Sequence, residues 1–228
     1  MPLFSEILLR LFYPAACVLC RKDLRLHEKT LCAVCFASFE RFELRPRDAV
    51  WRLSASPRCE GFSLYEYRSS MKDFLTHFKF NRQPWLIKAL RPRLAKFLLA
   101  VQLETRYDAL TPVPMTLRRF LERHYNPAEV LAGEIGCLSG LQVLPLLEKN
   151  RSTPPQHALS GEERRANLRG SFSVKDIRQA AGRKILLIDD ILTTGSTARE
   201  AARALKEAGA KRVGILTLAR TLELKHSA

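Results

Sequence analysis

No stretch of the chain reaches the ~18 consecutive apolar residues of a membrane-spanning helix, although hydrophobic residues make up 46% of its 228 residues. That argues against a helical span and leaves ample apolar material for a buried core. The first fourteen residues lack a basic leader, and no small-residue cleavage site precedes the first cysteine. A secretory signal is therefore not expected. Acids are scarce: 23 Asp and Glu face 38 Lys and Arg, a formal net charge of +15. Such an excess suits a polyanionic partner (nucleic acid, a phosphorylated ligand or an acidic membrane face) or reflects a basic proteome. Internal repeats and low-complexity runs are missing too, so the length fits one large domain or a main domain with an appendage.

What is present is concentrated in residues 185–197, Ile-Leu-Leu-Ile-Asp-Asp-Ile-Leu-Thr-Thr-Gly-Ser-Thr. Ile185 to Ile188 read as a fully buried strand. Asp189 and Asp190 sit where that strand is expected to emerge, and a hydroxyl-rich turn follows. From Thr197 onward Ala198, Ala201, Ala202, Leu205 and Ala208 share one helical face, and Gly209 is the expected stop. Ligands of open α/β sheets bind at the carboxyl ends of strands, and a helix N-terminus offers free N–H groups to an anion. Two acids beside a phosphate cradle would repel the phosphate. They make sense where they bind ribose hydroxyls, or a Mg²⁺ ion, while the turn holds the phosphate.

Cys17, Cys20, Cys32 and Cys35 form two Cys-x₂-Cys pairs, the spacing of a tetrahedral zinc site. A reducing compartment would leave these thiolates free for the metal, and disulfides are the alternative. Four thiolates fill the coordination shell, so the zinc is expected to be structural and to support a module too small for its own core. Cys59 and Cys137 stand alone and read as small apolar residues.

Taken in order, residues 1–42 read as an N-terminal helix followed by the zinc ribbon. The apolar spacing of Leu3, Phe4, Ile7, Leu8, Leu11 and Phe12 suits a helix that packs on the body, or one that meets a partner or a membrane surface. Residues 43–60 read as a connector. A strand is expected at 61–67, then a helix at 70–80 capped by Ser69, with Met71, Phe74, Leu75 and Phe78 inward. A second helical stretch, 84–103, should break at Arg91-Pro92. Together 61–103 would form a hood. The remainder, 104–228, would be the core: a strand at 108–113, a loop at 114–125, a helix from Asn126 to Leu138, and a strand at 141–147. A long basic loop at 149–170, a short strand at 172–174, the 185–197 unit and a last strand at 212–218 complete it. Strands alternating with helices imply a parallel sheet. Among the aromatics, Phe36, Phe39, Phe42, Tyr65 and Tyr67 lie between basic residues, where they either pack in the core or stack on bases.

The 185–197 stretch resembles the phosphoribosyl-pyrophosphate (PRPP) signature of type I phosphoribosyltransferases. The resemblance implies an α/β fold with a parallel sheet flanked by helices. It also implies that Thr193, Thr194, Gly195, Ser196 and Thr197 hold the 5-phosphate. Asp189 and Asp190 would be the catalytic acids, facing the ribose hydroxyls and favouring positive charge at the anomeric carbon as pyrophosphate leaves. Arginine forks suit pyrophosphate oxygens. Arg118, Arg119 and Arg123 would supply them from the 114–125 loop. Arg164, Arg165 and Arg169 would do so from a 149–170 lid that excludes water. Purine-salvage relatives carry an Asp base where this chain has Thr193, whose hydroxyl cannot act as a carboxylate base.

Arg118-Arg-Phe-Leu-Glu-Arg-His-Tyr-Asn126 and the run from Thr153-Pro-Pro-Gln-His to Gly170-Ser-Phe172 look like two internal motifs of the ComF competence-protein family. With the signature and the cysteine pairs, the resemblance covers nearly the whole chain. It implies a cytoplasmic protein of natural transformation that binds PRPP with Mg²⁺ and contacts single-stranded DNA and other DNA-uptake proteins. The alternative is a phosphoribosyltransferase acting on a small base or other acceptor, with no DNA role.

Overall fold

The computed structural model describes residues 15–53, 57–150 and 170–222. The expected helix within 1–14 and residues 151–169 of the expected lid, with Arg164, Arg165 and Arg169, lie outside these residues.

The two Cys-x₂-Cys turns open the described chain. Cys32 caps α1 (Ala33–Ser38), its Sγ accepting from the Cys35 amide, and a 3₁₀ turn, Phe39–Phe42, follows. The 43–60 stretch differs from the expected connector: it builds α2 (Pro46–Ala49) and an edge strand, β1 (Val50–Arg52). β1 runs antiparallel to β2 (Glu60–Glu66), with Trp51 opposite Gly61. A Cβ at Gly61 would overlap the Trp51 indole, so the close approach requires glycine there.

α3 (Ser69–Phe80) buries Met71, Phe74, Leu75 and Phe78, as its spacing predicts. The predicted cap does not form. Arg68 takes the cap position, Ser69 is the first helical residue at φ +46°, and no side chain caps the end. The predicted break falls before Arg91, between a 3₁₀ segment, Pro84–Leu90, and α4 (Arg91–Val101). Pro92 sits in the first turn of α4, where its missing N–H costs no helical bond. α5 (Leu103–Arg106) leads into β3 (Ala109–Pro112).

The expected 114–125 loop contains a helix instead, α6 (Leu117–Arg123), capped by Thr116 through the Arg119 amide. α7 (Pro127–Ser139) follows, with Asn126 as its cap. The expected single strand at 141–147 is divided between β4 (Gln142–Val143) and β5 (Leu147–Lys149). β6 (Phe172–Val174) pairs antiparallel with β5 as a separate ribbon. α8 (Ile177–Ala180), β7 (Lys184–Leu192), α9 (Ser196–Glu207) and β8 (Arg212–Arg220) complete the described chain.

The main sheet has the order β1-β2-β8-β7-β3-β4 and is parallel apart from the β1 edge. β2, expected in the hood, is thus part of this sheet beside β8. Both faces are covered, which is why β7 carries the unbroken apolar run Ile185 to Ile188. Leu186 and Ile188 pack on one face with Phe74, Phe78, Leu94 and Leu131. Ile185 and Leu187 pack on the other with Phe172, Ala201, Leu205 and Ile215. Phe39 and Tyr65 are fully buried and belong to the first of these cores. Cys59 is buried as expected, whereas Cys137 is exposed on α7. No helix among the described residues is long and apolar enough to cross a membrane.

Candidate functional site

The strand does not end at the acids. β7 continues through Asp189 and Asp190 to Leu192 because β8 keeps pairing with it, Asp189 opposite Thr217 and Ile191 opposite Ala219. On the other side β3 stops at Pro112, opposite Ile188. The acids therefore project past the end of β3 while one edge of their strand stays anchored. Side chains alternate along a strand. Asp190 falls on the face of Leu186 and Ile188, towards α3, and Asp189 on the face of Ile185 and Leu187, towards α9.

Over the truncated end of β3 lies a cleft of about 500 Å³. Asp189, Asp190, Thr193 and Thr197 form one wall, and Val113, Pro114 and Met115 the wall beyond β3. Asn126 fixes the latter: its Nδ2 donates to the Val113 carbonyl and its Oδ1 accepts from the Ala128 amide. One buried side chain thus ties the loop after β3 to the start of α7.

Four cations face the two acids in this cleft: Lys79, Arg119, Arg123 and Lys149. Lys79 Nζ lies 2.8 Å from Asp190 Oδ1. The Arg123 guanidinium rests 4.6 Å from the Phe80 ring centre, and Lys149 Nζ rests 5.3 Å from that of Phe172. Each cation is thus held against an aromatic face. Burial pulls both Arg123 and Lys149 below their ordinary pKa. Burial, reinforced by the Asp190 charge, pushes Asp189 up to about 7. Asp189 Oδ1 also accepts from the Asp190 amide, which partly offsets that push. The charges of the cleft are therefore unbalanced in a definite sense: cations outnumber acids, and one acid resists ionisation. An anion or a hydroxyl-rich ligand relieves that.

Beside the cleft, Asp189 and residues 191–198 enclose a recess of about 40 Å³. Gly195, at φ +71°, holds the cap position before α9 and offers no side chain to its N–H groups; the Ser196 amide donates to Thr194 Oγ1 at 3.4 Å. Thr194 Oγ1 and Ser196 Oγ lie 3.0 Å apart at its mouth. Hydroxyls and the first N–H groups of a helix converging on a small recess can cradle a phosphate-sized anion.

The structure thus brings together Asp189, Asp190, the Thr193–Thr197 turn, Arg119 and Arg123. It does not bring in Arg118, which is exposed and paired with Glu122 one turn along α6. The reason is the helix that replaces the expected loop: consecutive residues on it point in different directions. Lys149 and Asn126 were not among the residues the sequence marks for the site. Lys79 was not among them either. Nothing in their spacing distinguishes them from solvated residues or a helix cap.

The four cysteine sulfurs lie within 4.8 Å of one another. Cys20 Sγ and Cys32 Sγ are 3.6 Å apart, close to the ~3.8 Å edge of a tetrahedron with zinc–sulfur bonds of ~2.3 Å. The Cys32 amide points at Cys17 Sγ and the Cys35 amide at Cys32 Sγ, each at 3.4 Å. Burial works against ionisation of Cys17, yet backbone N–H groups of Cys20, Cys32 and Leu19 bring its thiol down to about 7. This donor set fits a metal such as zinc.

A family model described as the phosphoribosyl transferase domain matches residues 142–226. The chain is 29% identical to the DNA utilization protein YhgH of Salmonella typhimurium, covering 92% of this chain and 98% of that one. It is 27% identical to competence protein F of Haemophilus influenzae, with the same coverage. Competence protein ComFC of Streptococcus pneumoniae is 29% identical across 86% of this chain and 90% of its own. The chain is thus similar along most of its length to competence and DNA-utilization proteins. Among solved structures, the chain is similar to the glutamine PRPP amidotransferase of B. subtilis, with TM-score 0.37 and 24% identity. The match covers 56% of this chain and 25% of that enzyme. A purine phosphoribosyltransferase from Pyrococcus horikoshii gives TM-score 0.34 at 16% identity, with 60% and 73% covered.

Proposed function

We propose that this chain binds PRPP in the cleft, with Mg²⁺, and takes part in the uptake and handling of single-stranded DNA in the cytoplasm. The observation that carries the first half is convergence: acid pair, hydroxyl-lined recess and four cations meet around one cleft. The recess takes the 5-phosphate. Asp189 and Asp190 accept hydrogen bonds from the ribose hydroxyls, and Arg119, Arg123 and Lys149 take the pyrophosphate oxygens. Mg²⁺ supplies further neutralisation of pyrophosphate charge, and the two carboxylates are the hard oxygen donors that would hold it. The DNA half is supported by the competence and DNA-utilization relatives and by the net charge of +15. In this reading the cysteine unit within residues 1–42 is a structural zinc ribbon, and residues 61–228 are the phosphoribosyltransferase-like part.

The test is calorimetric titration with PRPP, with and without Mg²⁺. Binding that needs Mg²⁺ and disappears in Asp189→Asn/Asp190→Asn, with the circular-dichroism spectrum unchanged, is the expected outcome. An absence of PRPP binding by the wild type overturns the site. Tyr67 on the cleft wall favours a second reading, transfer to a small base, because its ring is a surface on which a base stacks. Pyrophosphate released from PRPP on addition of a base is its signature.

A further inference from the structure

A second cavity, of about 580 Å³, lies away from the acid-pair cleft, between the cysteine unit and the 3₁₀ segment Pro84–Leu90. Its volume is within the ~300–1,000 Å³ of sites that take small ligands. His27, Lys29, Thr30 and Phe36 form one side, and Trp85 and Lys88 the other. Trp85 is 50% exposed. That is unlike Trp51, whose indole N–H is committed to Ser63 and whose ring covers Gly61. Phe36 is half-buried and held from behind by the Arg93 guanidinium, 4.6 Å from its ring centre. The Glu28 carboxylate is occupied by the Arg25 and Ala33 amides at 2.7 and 2.6 Å. Lys29 and Lys88 are exposed and form no ion pair among the described residues.

We propose that this groove binds unpaired bases of single-stranded DNA, with Trp85 as the stacking platform and Lys29 and Lys88 on the flanking phosphates. An exposed indole backed by apolar surface, with unpaired ammonium groups beside it, matches the two faces of a single strand: an apolar base plane and an anionic backbone. A duplex hides its base planes, and an acidic peptide does not repeat a ring beside every negative charge as a single strand does. The proposal rests on the DNA-handling reading above. It goes further by placing the strand at the cysteine unit, clear of the PRPP cleft. The two ligands would then bind independently.

The experiment uses the full chain and an oligo(dT) probe, followed by Trp fluorescence quenching and by anisotropy of a labelled strand. Trp85→Ala is expected to weaken binding about ten-fold or more. Trp85→Phe should recover most of it. Lys29→Ala/Lys88→Ala should make the salt slope shallower by about 1.4. Zinc content and PRPP affinity, measured in parallel, should not move. Unchanged oligo(dT) affinity in Trp85→Ala overturns the proposal. Oligo(dT) binding that PRPP displaces also overturns it, because the strand would then lie in the acid-pair cleft, and the DNA reading would survive. No oligo(dT) binding by the wild type overturns both, and leaves PRPP binding to its own test.

Discussion

Lys79 Nζ and Asp190 Oδ1 are 2.8 Å apart across the junction of α3 and β7, with 16% and 11% of the two side chains exposed. This ion pair joins the helix of the expected hood to the strand that carries the acids. It also neutralises one acid of the pair and leaves the other, Asp189, beside it in a partly enclosed position.

Lys79→Met removes the counter-charge and leaves the Asp190 carboxylate without this ion pair. Breaking one half of a largely buried pair costs ~3 kcal/mol, because the remaining charge stays desolvated. Adding Asp190→Asn should return much of that loss. Urea denaturation of the two single variants and the double variant should therefore show a coupling of ~1–3 kcal/mol. Strict additivity would mean that the pair does not form in solution.

Asp189 predicts a pH dependence. Its carboxyl is raised from 3.8 to about 7, burial being the main cause. Between those values the unfolded chain has released the proton and the folded chain still holds it. Stability therefore falls as pH rises through this window and is lowest above it. Asp189→Asn cannot ionise, so it should be more stable than the wild type by ~1–2 kcal/mol near pH ~8, with no gain near pH ~4. The same variant should lose PRPP affinity, a stability–function opposition common at binding sites. An equal gain at both pH values would contradict the shift.

The sheet was more legible than the site. Ile185 to Ile188 and the alanine face of α9 are periodic signals, and tertiary packing agrees with them. The same holds for Met71, Phe74 and Phe78 on α3. The end of β7 was not legible, because whether a strand stops at its acids depends on how far β8 pairs with it. The helix at Leu117–Arg123 was missed although Leu117, Phe120 and Leu121 have helical spacing. These residues are exposed, so burial gives no reinforcing pattern. Lys79 and Lys149 reach the cleft from elements distant in sequence. A basic residue on a helix or at a strand end looks the same whether it faces solvent or an acid across the fold.

The cysteine unit should contain one zinc per chain by elemental analysis. Cys32 holds two positions at once: it would be a ligand, and its Sγ caps α1 through the Cys35 amide. Cys32→Ser keeps a cap acceptor and removes a thiolate, so it separates the two roles. The variant should lose the zinc and unfold at a lower temperature, with the loss centred on residues 15–42 in hydrogen exchange. Full zinc content in Cys32→Ser would refute four-sulfur ligation.

Arg118 and Arg123 offer a sharper test, since sequence alone treats them alike. Both belong to α6, yet Arg118 is paired with Glu122 on the exposed side, while Arg123 lies in the cleft against Phe80. The Arg123 Nε has no hydrogen-bond partner among the described residues. That is the state of a donor that a phosphate oxygen would complete, and burial already disfavours its bare charge. Arg123→Ala should therefore lower PRPP affinity by about 10- to 100-fold, the cost of one charge-assisted contact. Arg118→Ala should leave it within about two-fold, since its exposed pair contributes little. Calorimetry on both variants at matched ionic strength decides the matter. Equal losses would mean that α6 rearranges when ligand binds, and that the expected loop reappears in the bound state.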